Sequence, residues 1–161
     1  MQKILKNNEI VEDNWLVVAK DAESLPEGNI LLPLSYWLEN QASLQPFRGT
    51  VGIWIESDEE IEDLETIPPE VPVVAINFPK FVDGRGFSTA RLIRERYQYQ
   101  GELRAIGHFI RDQLFYLKRC GVNAFQFDDE MNLDAAKQSL NDFSDAYQAG
   151  VDQPLPLFRR R

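Results

Sequence analysis

A chain of 161 residues, 43% apolar and 27% charged, has room for one soluble domain with a sizeable core. Its formal charge of −9 argues against nucleic acid as a partner, because phosphate contacts need a net basic face. A single cysteine, Cys120, and a single histidine, His108, exclude an internal disulfide, a four-cysteine cluster and a histidine-rich metal site.

The first residues, MQKILKNNEIVEDNW, contain no apolar core of signal-peptide length, and residues 1–14 read as an irregular terminus. Trp15 to Ala19 reads as a short strand, followed by the turn-rich DAESLPEGN. Ile30 to Leu32 is a brief apolar segment leading into a helix over about 34–43. Thr50 to Ile55 is β-rich, and Ser57-Asp58-Glu59-Glu60 could open a short helix. After Pro68-Pro69, Val71 to Ile76 is a continuous β-branched run, the pattern of a strand covered on both faces. Ser88 is a plausible N-cap for a helix over about 89–97. Leu103 to Ile106 is a strand. Phe109, Ile110, Leu114 and Leu117 form the apolar face of a helix ending at Cys120, with Gly121 as its C′ residue. Ala124 to Phe127 is another strand. Leu133, Ala136, Leu140 and Phe143 mark a closing amphipathic helix, and 151–161 reads as an irregular tail.

Strand and helix alternate at least three times after residue 70. The expectation is a single α/β domain over 1–161 with a mainly parallel sheet and alternating helices, arranged as a three-layer sandwich or a half-barrel. The strands 73–77, 103–106 and 124–127 are expected to be neighbours. Ligands of such sheets bind beyond the carboxyl ends of the strands, here at 77–88, 107–108 and 128–132. No apolar run approaches the ~18 residues of a spanning helix, so no membrane contact and a cytoplasmic location are expected.

Residues 78–104 concentrate the chemistry. From Lys80 to Arg119 there are nine Lys/Arg against four Asp/Glu, which makes this stretch +5 and the remainder −14. An electropositive pocket on an acidic body suits a small anion better than a polymer. The turn Asp83-Gly84-Arg85-Gly86 follows a strand and precedes a helix, so backbone N–H groups, a helix N-terminus and guanidinium groups converge there. The expected anion-binding set is Arg85, Gly86, Ser88, Arg91 and Arg104. The turn has neither the third glycine of a dinucleotide fingerprint nor the GK[ST] of a P-loop, so no cofactor is expected. Asp83, Glu102 and His108 are the candidates for acid–base work. Asp128, Asp129 and Glu130 could bind magnesium or cap the last helix, but no metal site is assigned. Cys120 is read as structural, since a helix C-terminus opposes a thiolate.

The pattern DGRGFS-x-ARLIRER-x-x-Y-x-GELRA-x-G, followed by DQL-x-x-L-x-RCG-x-x-AF, resembles a bacterial domain-of-unknown-function family labelled as an oxidoreductase of sulfite reduction. The resemblance covers roughly residues 73–127. It implies a role in sulfite or sulfate assimilation and a sulfite reductase, or another protein of that pathway, as partner. It supplies no catalytic residues. The leading expectation is an accessory or small-anion-binding protein. The alternatives are a small enzyme on an anionic sulfur- or phosphate-bearing metabolite, and an interaction domain whose arginines form a salt-bridge network.

Overall fold

The computed structural model describes residues 3–40, 49–61, 64–78, 85–109, 113–127 and 133–140. Eight strands and four helices are defined there: β1 (Lys3–Lys6), β2 (Glu9–Glu12), β3 (Trp15–Val17), β4 (Gly28–Pro33), α1 (Leu34–Glu39), β5 (Gly49–Glu56), β6 (Val73–Phe78), α2 (Arg85–Glu95), β7 (Glu102–Gly107), α3 (Leu114–Arg119), β8 (Ala124–Phe125) and α4 (Leu133–Leu140). The strands form one sheet in the order β2-β1-β8-β7-β6-β5-β4-β3. From β3 to β8 every neighbour is parallel and consecutive. β1 is antiparallel to both β2 and β8. The sheet is therefore mixed, and the fold is an α/β half-barrel. β6, β7 and β8 are parallel neighbours, as the alternation of elements implies.

Within the expected irregular terminus, residues 3–12 are regular. Lys3–Lys6 and Glu9–Glu12 form a hairpin around Asn7 and Asn8, whose φ values of 51° and 65° are those of a two-residue type I′ turn. Asparagine tolerates this left-handed backbone at small cost. Other differences are local. Ser57 to Glu60 forms a turn instead of a helix, and α2 begins at Arg85, so Ser88 lies in its first turn and is not its cap. Among the described residues the third helix is Leu114–Arg119, and of the strand expected over 124–127 Ala124 and Phe125 have register partners while Gln126 donates its N–H to Ala105 at 2.9 Å.

The two edge strands are neighbours in sequence, and this dictates the curvature. A flat sheet of eight strands would separate its edges by roughly 34 Å, at about 4.8 Å per strand. The link from Glu12 to Trp15 is three Cα steps, at most about 11 Å. The sheet must therefore curl until its two edges, β2 and β3, lie within about 11 Å of each other at this link. β2 and β3 also run in the same direction, since β2 is antiparallel to β1 and β1 to β8. Residues 9–17 are thus one extended passage whose first half pairs with β1 and whose second half pairs with β4.

Alternation along the strands sorts side chains to two faces. Ile53, Ile55, Val74, Ile76, Leu103, Ala105 and Phe125 point outward into the main core, against Ala90 and Ile93 of α2 and Leu114 and Leu117 of α3. Leu31, Trp54, Val73, Ala75 and Ile106 point inward, joined by Trp15. The inner face also carries charge. Arg104, 1% exposed, lies in register between Ala75 and Ala124, whose small side chains leave room for its guanidinium.

Outside the sheet, Arg94 ties α2 to two loops by donating to the carbonyls of Gly121, Tyr99 and Gly101 at 2.8–2.9 Å. Burial lowers its pKa, an effect opposed by Tyr99. The Tyr99 hydroxyl is buried and donates to the Val71 carbonyl at 2.7 Å. Burial pushes the Tyr99 pKa well above its ordinary value of 10.0; Arg94 opposes that shift and Glu102 adds to it. The folded state therefore holds the phenol proton after the unfolded chain has begun to release it. The resulting stabilisation is complete below pH 10 and falls as pH rises above it. Urea midpoints of the native protein are expected to decline above about pH 10 more steeply than those of Tyr99→Phe. Parallel pH profiles for the two proteins would contradict this.

Candidate functional site

The unbroken parallel run from β3 to β8 delivers its carboxyl ends to a single rim, where open α/β sheets and barrels place their ligands. On that rim the inner-face side chains of β5 and β6 are polar. Glu56 and Asn77 are register partners, and Asn77 Nδ2 donates to both Glu56 carboxylate oxygens at 3.2–3.3 Å. Lys20, from the loop after β3, lies 4.0 Å from Glu56 and 3.6 Å from Glu59, with its ammonium 5.6 Å from the centre of the Trp54 ring. Glu59 accepts the Glu56 backbone N–H at 3.0 Å. Gly107 ends β7 with φ at 90°, and the space a Cβ would need is taken by Asn77 Oδ1 and the Phe78 carbonyl. His108 follows it, exposed, and donates its backbone N–H to Phe78 at 2.9 Å.

Beside this cluster the first turns of α2 face a pocket of about 330 Å³. Arg85, Ser88 and Thr89 line one wall and Asp58, Glu59 and Glu60 the other. Of the five expected anion ligands, Arg85 and Ser88 are brought together here. Gly86 is buried under the Phe78 ring, where a Cβ would overlap the ring carbons, so its lack of a side chain serves packing. Arg91 pairs with Glu95 at 3.1 Å on the exposed flank of α2. The expected electropositive pocket is, in its described lining, one guanidinium facing three carboxylates.

Arg104 is not on the rim. It donates to Glu102 Oε2 from Nε and Nη2 at 3.1 and 2.9 Å, and from Nη1 to Asp13 and Gln126 at 3.0 and 2.9 Å. Lys6 completes the series 3.0 Å from Glu102 Oε1. A fully buried guanidinium with two carboxylate partners cannot serve an external anion, so Arg104 leaves the candidate site. Glu102 leaves the acid–base candidates for the same reason: it is buried and bridged by two cations. His108 is positioned on the rim. Asp83 lies outside the described residues, as do Asp128, Asp129 and Glu130. Cys120 is buried at the end of α3. Among the described residues, no three His, Cys, Asp or Glu side chains converge to hold a metal ion, and no helix is long and apolar enough to cross a membrane.

The rim cluster of Lys20, Glu56 and Asn77 escaped the sequence reading. The signal for it is positional: a polar residue on the inner-face parity at the last turn of an otherwise apolar strand.

Compared with curated proteins and with solved structures, the chain has no significant match. A family model does match, over residues 52–158, from within β5 through all the later elements. The strands β1 to β4, which complete the half-barrel, precede the matched region. The long arginine-bearing motif and this match lead to one conclusion: the chain belongs to the family described as bacterial protein of unknown function (DUF934).

Proposed function

We propose that this protein is an accessory component of assimilatory sulfite or sulfate reduction that binds a small anion on the carboxyl rim. The observation that carries the anion part is the meeting of Arg85 and Ser88, one turn apart on α2, at the 330 Å³ pocket. The first N–H groups of an 11-residue helix, a guanidinium and a hydroxyl are all donors to an oxyanion. The carboxylates of Asp58, Glu59 and Glu60 opposite them favour a singly charged anion over a dianion. The pathway part rests on the family resemblance. An accessory role fits a rim to which Glu102, buried at the amino end of β7, supplies no base. A second reading, a small enzyme on an anionic sulfur- or phosphate-bearing metabolite, is favoured by His108 standing exposed at the end of β7.

Calorimetry with sulfite, sulfate and phosphate tests the anion part. The native protein is expected to bind sulfite, and Arg85→Ala to weaken that binding at least about tenfold. The melting temperature should hardly move, since an exposed arginine contributes only about 0–1 kcal/mol. Loss of folding in Arg85→Ala would make Arg85 structural, and absence of binding in both proteins would end the anion reading. For the pathway part, a deletion strain should grow on sulfide or cysteine but not on sulfate or sulfite. Normal growth on sulfate would remove the pathway.

A further inference from the structure

On the outer side of the half-barrel, α1 and the segment after β5 enclose a groove of about 710 Å³. Its apolar surface includes Trp37 and Leu38 of α1 and Leu64 opposite them. Leu38 is 45% exposed, one of the few large apolar side chains left open to solvent among the described residues. The polar lining includes Glu59, Glu60 and Glu65, and no Lys, Arg or His lines the groove among the described residues. The sequence accentuates this: residues 56–65, ESDEEIEDLE, carry seven carboxylates and no cation. Lys20 offsets only Glu56 and Glu59.

An apolar floor under a rim whose carboxylates outnumber the cations near it, Lys20 at Glu59 and Arg85 across from Glu59 and Glu60, has a defined complement. Anionic lipid and nucleic acid are repelled by it. A second copy in a two-fold contact would bring the same carboxylates face to face. A helix or extended segment with leucine or aromatic anchors flanked by arginine or lysine satisfies both the floor and the rim.

We propose that this groove docks a cationic, leucine- or aromatic-bearing segment of a protein partner. The inference shares with the accessory reading only the existence of a partner. It concerns a groove that adjoins the anion pocket and shares Glu59 and Glu60 with it, but its test varies residues outside that pocket and contains no sulfite or sulfate, so either can fail alone.

The probe is a fluorescent peptide with two leucines, one phenylalanine and three arginines, titrated into the full chain and followed by anisotropy. A second peptide has glutamate at each arginine position. The basic peptide should bind at least about 100-fold tighter than the acidic one. Leu38→Ala and Glu65→Lys, neither of which lines the anion pocket, should each weaken binding about tenfold while melting as the native protein does. Equal binding of the two peptides, or indifference to both substitutions, would overturn the proposal. So would a full chain with Arg159, Arg160 and Arg161 replaced by alanine that binds the basic peptide about tenfold tighter than the native chain. In that case the occupant is the chain's own end.

Discussion

Arg104→Ala is expected to cost about 3–5 kcal/mol of unfolding free energy, the range for removing one partner of a buried ion pair. The substitution leaves Glu102 and Asp13 buried on the inner face without their shared cation, and Gln126 without its donor. Asp13 Oδ2 already lacks a hydrogen-bond partner among the described residues, so its carboxylate depends heavily on the Arg104 contact to Oδ1. A total stability of about 5–15 kcal/mol is typical of a domain, so the single variant would approach the limit of folding. A companion keeps the test decisive: Arg104→Met combined with Glu102→Gln and Asp13→Asn removes the stranded charges and should recover most of the loss. Urea unfolding of the three proteins gives the comparison. A loss below about 1 kcal/mol in Arg104→Ala would mean that the guanidinium is hydrated and the inner face open to water.

Gly107→Ala is expected to destabilise the protein by about 2–4 kcal/mol, from a left-handed backbone and from overpacking together. At φ of 90° any β-carbon is strained, and here it would overlap the Phe78 carbonyl oxygen and Asn77 Oδ1. The carbonyl is part of the β6–β7 ladder and cannot move away alone. The side-chain half of the clash would push the Asn77 amide off Glu56. The rim should therefore lose order along with stability. Urea midpoints measure the first, and the NMR side-chain amide signals of Asn77 report the second. A variant that unfolds at the native midpoint would show that the turn after β7 can be rebuilt without glycine.

The parts of the fold that were legible in the sequence are those where one physical signal dominates. Val73–Ile76 is an unbroken apolar run, and the helix pattern of 85–95 is set off by a glycine turn. Their order and short connections implied parallel neighbours. The first strands were not legible because lysine and glutamate flank every apolar pair in KILK and EIVE, although the Asn7-Asn8 turn between them was a hairpin signal. Arginine is so rarely buried that Arg104 in sequence points to an anion ligand. Yet Leu103 and Ala105 belong to the outer core, and the two-residue period then assigns Glu102 and Arg104 together to the other face. Only the curvature of the sheet, set by residues 12–15, turns that face into an interior. For the site, Arg85 and Ser88 were legible from turn chemistry. The opposing carboxylates were not, because nothing local brings 58–60 beside 85–88.

The passage through Asp13 also orders events in time. β1 and β2 can pair as soon as they exist, and so can β5, β6 and β7 with their helices, since each contact joins neighbours in sequence. β1 cannot reach β8 until the chain has run about 120 residues further, and Asp13 cannot meet Arg104 until about 90 have passed. During synthesis the first hairpin therefore waits beside a nearly complete scaffold with Ile4 and Leu5 uncovered. Closure of the half-barrel is the late, long-range step of folding, and the buried ion cluster is the latch that forms with it.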